Sequence, residues 1–286
     1  LGMFCVIAIP AIVELYDTSL SAKVSAIGIF VLISIPIITL NGLYQVPDIK
    51  SAKVEAKIEN PLKTFRSLFG NSMLNKIVLA AGLIGFCMSL NGALYLIWMD
   101  VVMELPEYSS RLMLMYYLVS VLGLGLWRYL SIKTSKHFAA GVACFYAIII
   151  LLIGFLGFFI IRDLDTDVKL IAVGSFIILY GFSFSGPMPL INAIIADISD
   201  KLSLDQDENI SGTVFSYLTT ITKVGFGLAA VIPYLVLELI WGFDINLGVE
   251  NTESSKMAIF YIYTFVPIIC YSIASYMLFS HSLGRD

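Results

Sequence analysis

Long apolar runs separated by short polar stretches dominate the chain. Eight of them are read as membrane helices, because about 20 mostly apolar residues cross the hydrocarbon core and charges collect between spans. They are Leu1–Tyr16, Lys23–Val46, Ile77–Met99, Arg111–Leu130, Ala139–Ile161, Lys169–Ala196, Thr213–Trp241 and Met257–Phe279. The first is short and lacks the basic region and cleavage site of a signal peptide. It is expected to be a helix cut short in a chain that continues upstream.

The polar stretches are mostly brief, with one exception. Residues 47–76 form a linker with six basic residues. Within it Asn60 reads as an N-cap, Pro61 as a first helical residue and Gly70 as a stop. Leu62, Phe65, Leu68 and Phe69 would then share one face of an interfacial helix; an ordinary solvated linker is the alternative. The chain divides into residues 1–46, the last two helices of an N-terminal bundle, the linker, and residues 77–286, a six-helix C-terminal bundle. This is the layout left when a six-plus-six transporter loses its first four helices.

Composition strengthens the membrane reading. Of 286 residues 59% are hydrophobic and 13% charged, where soluble domains carry about 25% charged. Mean hydropathy is +0.91. A net charge of −4 gives no footprint for nucleic acid, so no nucleic-acid partner is expected. Cys5, Cys87, Cys144 and Cys270 lie in separate runs without the spacing of a disulfide framework or zinc site. The loops carry eleven Lys and Arg on one side, including the linker and Arg285, and five on the other. The positive-inside rule therefore puts the linker and the C-terminus in the cytoplasm.

The seventeenth basic residue, Lys223, is in no loop. It stands ten residues past Thr213, about 15 Å into the span at 1.5 Å per residue. A charge at that depth is a functional candidate. Ser216, Thr219, Thr220 and Gly227 share its face at helical spacing, a stripe for a cavity wall or a tight helix contact. A lysine bonded to neighbouring backbone carbonyls is the plainer reading. No other run has an acid near its centre, so a carboxylate partner is expected from helices upstream, or the lysine faces substrate or a coupling-ion site.

Gly186, Pro187 and Pro189 predict a bend or break on the cytoplasmic half of the Lys169–Ala196 run, because each proline removes a helical donor. Asn91 lies mid-span, with Met88, Tyr95 and Trp98 on its face. Tyr116, Ser120, Gly123 and Trp127 align on the next helix. Asn91, Tyr95, Tyr116 and Ser120 are candidate substrate contacts, with an interhelical hydrogen bond as the alternative for Asn91 and Ser120. Trp98, Trp127 and Trp241 are explained by the interfacial aromatic belt. Gly225-Phe-Gly227-Leu-Ala-Ala230 spells a dinucleotide fingerprint, but inside a membrane helix it reads as small-residue packing. No nucleophile–base set or P-loop is visible, so no enzyme is expected.

Ala196-Asp197-Ile-Ser-Asp200, then Ser211-Gly212, then Lys223-Val-Gly225 resemble the helix 10–11 region of the glycoside–pentoside–hexuronide:cation symporters, the melibiose-permease-like branch of the major facilitator superfamily. That family typically has Tyr-Gly-Glu where this chain has Lys201-Leu-Ser. The resemblance implies an all-α major facilitator fold, present in part, with two bundles rocking about a central cavity. It implies a sugar or glycoside as small-molecule substrate, a coupling cation (Na+ or H+) and no cofactor. The family's cation-site carboxylates would lie in the missing N-terminal helices, which become a required partner beside the lipid bilayer. Asp197 and Asp200 would be gating residues at the cytoplasmic end, or else a solvated loop edge. A bacterial inner membrane is the expected location. A lysolipid carrier of the same fold and a non-transporting sensor are the competing functions.

Overall fold

The computed structural model describes residues 2–17, 19–45, 68–206 and 210–280. Nine α-helices are described: α1 (Gly2–Val13), α2 (Leu20–Gln45), α3 (Ser72–Ile97), α4 (Ser109–Lys133), α5 (Lys136–Ile161), α6 (Thr166–Phe184), α7 (Pro187–Gln206), α8 (Ser211–Trp241) and α9 (Glu253–Phe279). Polar caps start three of them. Asn71 accepts from Leu74 N, Ser135 from Phe138 N and Thr252 from Ser255 N, each satisfying a donor the helix leaves orphaned. Gly242 closes α8 in the left-handed region at φ 62°, where a Cβ would be strained.

Seven stretches among the described residues are long and apolar enough to cross a membrane, α6 and α7 counting as one 40-residue stretch. The opening run forms α1, 12 residues long. That is about 18 Å, short of the ~30 Å hydrocarbon core. The interfacial helix expected over Asn60–Gly70 falls outside the described residues except at its end. There Leu68 is buried in the core and Phe69 sits edge-on to Tyr217 at 5.1 Å.

Helix α3 is the most buried span and forms the axis of the bundle, packed against α8 on one side and α9 on another. The α3–α8 crossing depends on missing side chains. A Cβ on Gly82 would press on Ile221, one on Gly85 on Phe226 and Thr222, and one on Gly225 on the carbonyl oxygen of Gly82. Ser89 Oγ donates to Phe226 O at 2.9 Å and Tyr234 Oη to Ala93 O at 2.6 Å, completing the seam. Small-residue packing thus explains Gly225, whereas Gly227 faces open space. Gly225→Val should destabilise the bundle by about 1–3 kcal/mol, the usual cost of overpacking. Thermal unfolding in detergent would show this as a lowered Tm, with Gly227→Val unchanged.

A second small-residue stripe, Ala140, Ala143, Cys144 and Ala147 on α5, is completely buried, as close helix approach in a bilayer requires. Ser275 Oγ donates from α9 to Gly141 O at 3.1 Å.

The expected helix break is present, at Ser185–Gly186, with two corrections. The second helix runs ten residues beyond Ala196 to Gln206, so the break falls near the middle of the stretch. Asp197 and Asp200 accordingly sit on a helix rather than in a loop. A helix needs no apolar side chains once its end is solvated, so hydropathy marks the membrane boundary and not the helix end. Pro187 and Pro189 occupy the first turn of α7, where absent N–H groups cost nothing. Gly186 N donates to Ser183 O at 3.3 Å, and the carbonyl of Phe182 is taken by the Trp127 indole N–H at 2.6 Å. Trp127 is 4% exposed and Trp98 likewise. Neither belongs to an interfacial belt: the first braces the break and the second stacks on Tyr263 at 5.0 Å. Trp241, by contrast, is 40% exposed, at the end of α8.

Candidate functional site

The Lys223 stripe lies on the open side of α8. Ser216, Thr219, Thr220, Lys223 and Gly227 are all exposed, while Val214, Tyr217, Leu218, Thr222 and Gly225 are buried on the opposite side. Ser216 Oγ donates to Gly212 O at 2.7 Å and Thr220 Oγ1 to Ser216 O at 2.8 Å, so both hydroxyls return to their own helix. The Lys223 ammonium lies 5.1 Å from the Phe226 ring centre, and no carboxylate among the described residues approaches within 4.0 Å of it. It stands about 18 Å along a 31-residue helix. An unpaired ammonium at that depth facing lipid is costly; the stripe suits water or another polar surface.

On the other flank of α3 is an aromatic recess of about 50 Å³, room for one or two waters at ~30 Å³ each. Met88, Asn91, Gly92 and Tyr95 of α3 meet Tyr116 and Tyr117 of α4, Phe176, Tyr180 and Phe184 of α6, and Tyr263 of α9. The rings form a connected set: Phe176 stacks on Tyr180 at 5.7 Å, and Tyr116 meets Tyr117 and Phe184 edge-on at 5.4 Å. Asn91 Nδ2 donates to Tyr180 Oη at 2.6 Å, and its Oδ1 is buried without a partner among the described residues. An unpaired buried acceptor is unfavourable unless a donor arrives, which makes the recess a place for a water or a substrate hydroxyl.

Asn91, Tyr95 and Tyr116 therefore come together around one recess. The Tyr95 hydroxyl is already committed, donating to Ser109 O at 2.8 Å. Ser120 is buried, 5% exposed, and donates to Tyr117 O at 2.7 Å. With Gly123 and Trp127 it lies in the α4–α6 seam, where Gly123 rests against Ser185 and Phe182. Sequence reasoning missed Tyr117, Phe176, Tyr180, Phe184 and Tyr263; the adjacent Tyr116-Tyr117 pair was the visible signal.

Ion pairs mark both ends of the bundle. At the face carrying the starts of α3 and α5, here the linker face, Asp197 Oδ2 accepts from Lys136 Nζ at 2.5 Å. The pair lines a polar cavity of about 410 Å³ with Asn71, Ser135, Lys201 and Asp205. It joins two helices of the same bundle. Asp200 is exposed and enters no ion pair with the described residues. Gly186, Pro187 and Pro189 stand between this cavity and the recess, with Gly186 against Ala143 and Trp127.

At the opposite face is Glu14, to which sequence reasoning gave no role. Ile7, Ala11 and Glu14 form the buried stripe of α1 and its end; α1 packs on α4. The side chain of Glu14 is 0% exposed and forms ion pairs with Lys23 at 2.5 Å and Arg111 at 3.4 Å. It also accepts from Ser110 N at 3.2 Å and Arg111 N at 3.1 Å. Helix α4 has no side-chain cap of its own, so Glu14 caps it in trans, a negative charge at the positive end of a helix dipole. Burial pushes the carboxyl's pKa up, but the Lys23 ammonium and the Ser110 amide outweigh it, and the net displacement is downward.

Membrane-crossing helices around a mid-depth polar stripe and a ringed recess, with ion pairs at both ends, are the anatomy of a transporter. Residues 1–285 match the MFS/sugar transport protein family. The chain belongs to that family, the melibiose-permease-like branch of the major facilitator superfamily, and is an integral multi-pass membrane protein of the transporter class. No match to the chain was found among curated proteins.

Proposed function

We propose that the protein is a cation-coupled symporter of a sugar or glycoside, working by alternating access. The observation that carries this reading is the Lys223 ammonium, unpaired with any carboxylate among the described residues, on an exposed polar stripe about 18 Å along α8. The recess supports it: its rings supply flat apolar surface and the Asn91 carbonyl an unused acceptor, the mixed chemistry of a small-molecule site. At about 50 Å³ the recess itself holds no sugar ring; the substrate lies over its mouth. The coupling ion is Na+ or H+. The linker face is cytoplasmic by the excess of basic loop residues, in a bacterial inner membrane.

Uptake into vesicles containing the full-length chain tests this directly. Labelled glycosides are offered with a sodium gradient, a proton gradient or neither. Accumulation that needs one gradient is the expected result and names the ion. Inserted protein that moves no glycoside under either gradient overturns the reading in favour of a lipid carrier or a non-transporting relative.

Within the same assay Asp197 separates gating from stability. Lys136 and Asp197 are 40% and 51% exposed, and an exposed pair contributes only about 0–1 kcal/mol. Asp197→Asn should therefore leave the Tm near wild type while changing the uptake rate. A wild-type rate would remove Asp197 from the gate.

A further inference from the structure

We propose that the apolar cavity between α5, α6 and α9 is a resident site for one acyl chain of a zwitterionic phospholipid. The cavity has a volume of about 230 Å³, shares Phe176 and Tyr263 with the recess as a common wall, and has no lining residue from α8. Ile153, Gly157 and Ile161 of α5 form one wall, Ala172 and Phe176 of α6 the other, and Phe260 of α9 the floor. Ile153 and Leu179, 55% and 43% exposed, flank its mouth on membrane-crossing segments, so the opening faces hydrocarbon.

Three features fix the occupant. Along α5 the cavity runs from Ile150 to Ile161, about 16 Å, close to half of the ~30 Å hydrocarbon core. That is the depth of one leaflet and the reach of a single chain. The walls are apolar and exclude water, and an unfilled space would forfeit the dispersion contacts of its lining. The third feature is Trp98. It lines the cavity, is 4% exposed, and its indole N–H has no acceptor among the described residues. The ester carbonyl of a glycerolipid is the acceptor that accompanies an acyl chain.

The rim supplies the headgroup preference. Arg162, whose Nε donates to Asp163 Oδ1 at 3.3 Å and whose remaining guanidinium donors, unpaired among the described residues, are free for a phosphate, follows Ile161, and Lys169 stands one turn before Ala172 and Val173. Asp163, Asp165 and Asp167 lie between them, which suits the cationic end of a zwitterion and disfavours a purely anionic headgroup. Gly157 borders the open part of the groove, since a Cβ there would meet nothing within 4 Å.

The test reconstitutes the full chain in vesicles of phosphatidylcholine carrying a dibrominated stearoyl chain, and reads tryptophan emission. The expected result is loss of the Trp98 emission, one of three tryptophans in the chain, measured as the difference from Trp98→Phe. Gly157→Leu should restore that emission by filling the groove. Ala172→Leu, which fills it from the other helix, repeats the test should Gly157→Leu fail to insert. Trp98 emission that is unquenched in the unsubstituted chain, or quenched equally in both groove-filling variants, overturns the site. Brominated phosphatidylglycerol should quench less; equal quenching overturns the headgroup assignment. None of these readouts depends on transport, so the site stands or falls separately from symport.

Discussion

Lys223→Ala is expected to abolish gradient-driven uptake while leaving the bundle as stable as the unsubstituted protein. The two expectations rest on different observations. The side chain is exposed on α8, and its ammonium lies 5.1 Å from the Phe226 ring centre. Exposed substitutions away from packed contacts usually shift stability by no more than about 0.5 kcal/mol, so the Tm should hold. Transport differs because a desolvated charge pairs with something during the cycle. Truncating one member of such a pair costs about 2–5 kcal/mol, roughly thirtyfold or more in affinity or rate at 1.4 kcal/mol per decade. Lys223→Arg keeps the charge but changes the donor geometry, and should fall between the two. Uptake and Tm measured on one preparation check both halves. Normal uptake by the alanine variant would remove Lys223 from the site; a collapsed Tm would make it a packing residue.

Glu14→Ala is the second large effect, and it falls on the fold before it reaches transport. The carboxylate is wholly buried between α1 and the start of α4, held by Lys23, Arg111 and two backbone amides. Removing one partner of a buried ion pair costs about 3–5 kcal/mol, and here α4 also loses its cap. A cysteine at Ala11, 4% exposed on the same stripe, should react slowly with a membrane-permeant thiol reagent in the unsubstituted background and much faster beside Glu14→Ala. Glu14→Gln keeps an acceptor for the amides and should lie between them. The pH dependence follows from the lowered pKa. A carboxyl depressed in the fold stabilises it fully above its ordinary value of 4.5, and that contribution is lost only as pH falls through the lowered value. Between pH 8 and 5 the contact should therefore not loosen through Glu14. Loosening in that range would assign the titration to another group.

The contrast between these residues shows what the sequence makes legible. Lys223 is conspicuous because a charge in an apolar run has no ordinary explanation, and its polar companions follow from helical period alone. Glu14 has an ordinary explanation, as an acid where a run ends. What distinguishes it is contact with Ser110 and Arg111, nearly a hundred positions away, and periodicity carries no information about such pairs. The recess divides in the same way. Asn91 stands out as a lone amide and brings Tyr95 and Tyr116 into view, but Tyr180 and Phe176 are two aromatics in a chain where such residues make up 13%. The spans were readable because burial in lipid constrains every residue of a helix. The length of α7 was not, since beyond the bilayer that constraint ends.

The break at Ser185–Gly186 also bears on how a disturbance travels. In an unbroken helix a twist at one end is handed along the backbone hydrogen bonds to the other. Here the ladder is interrupted, and two prolines at the start of α7 keep it from being rebuilt. α7 carries Asp197 at the linker face, while α6 holds Phe176, Tyr180 and Phe184 in the recess. The two are therefore coupled laterally as well, through Trp127, pressed against Gly186 and bonded to Phe182 O, and through α5, which packs on both. A change in the Lys136–Asp197 pair would thus reach the aromatic recess through neighbouring helices, and not only along the chain that joins them.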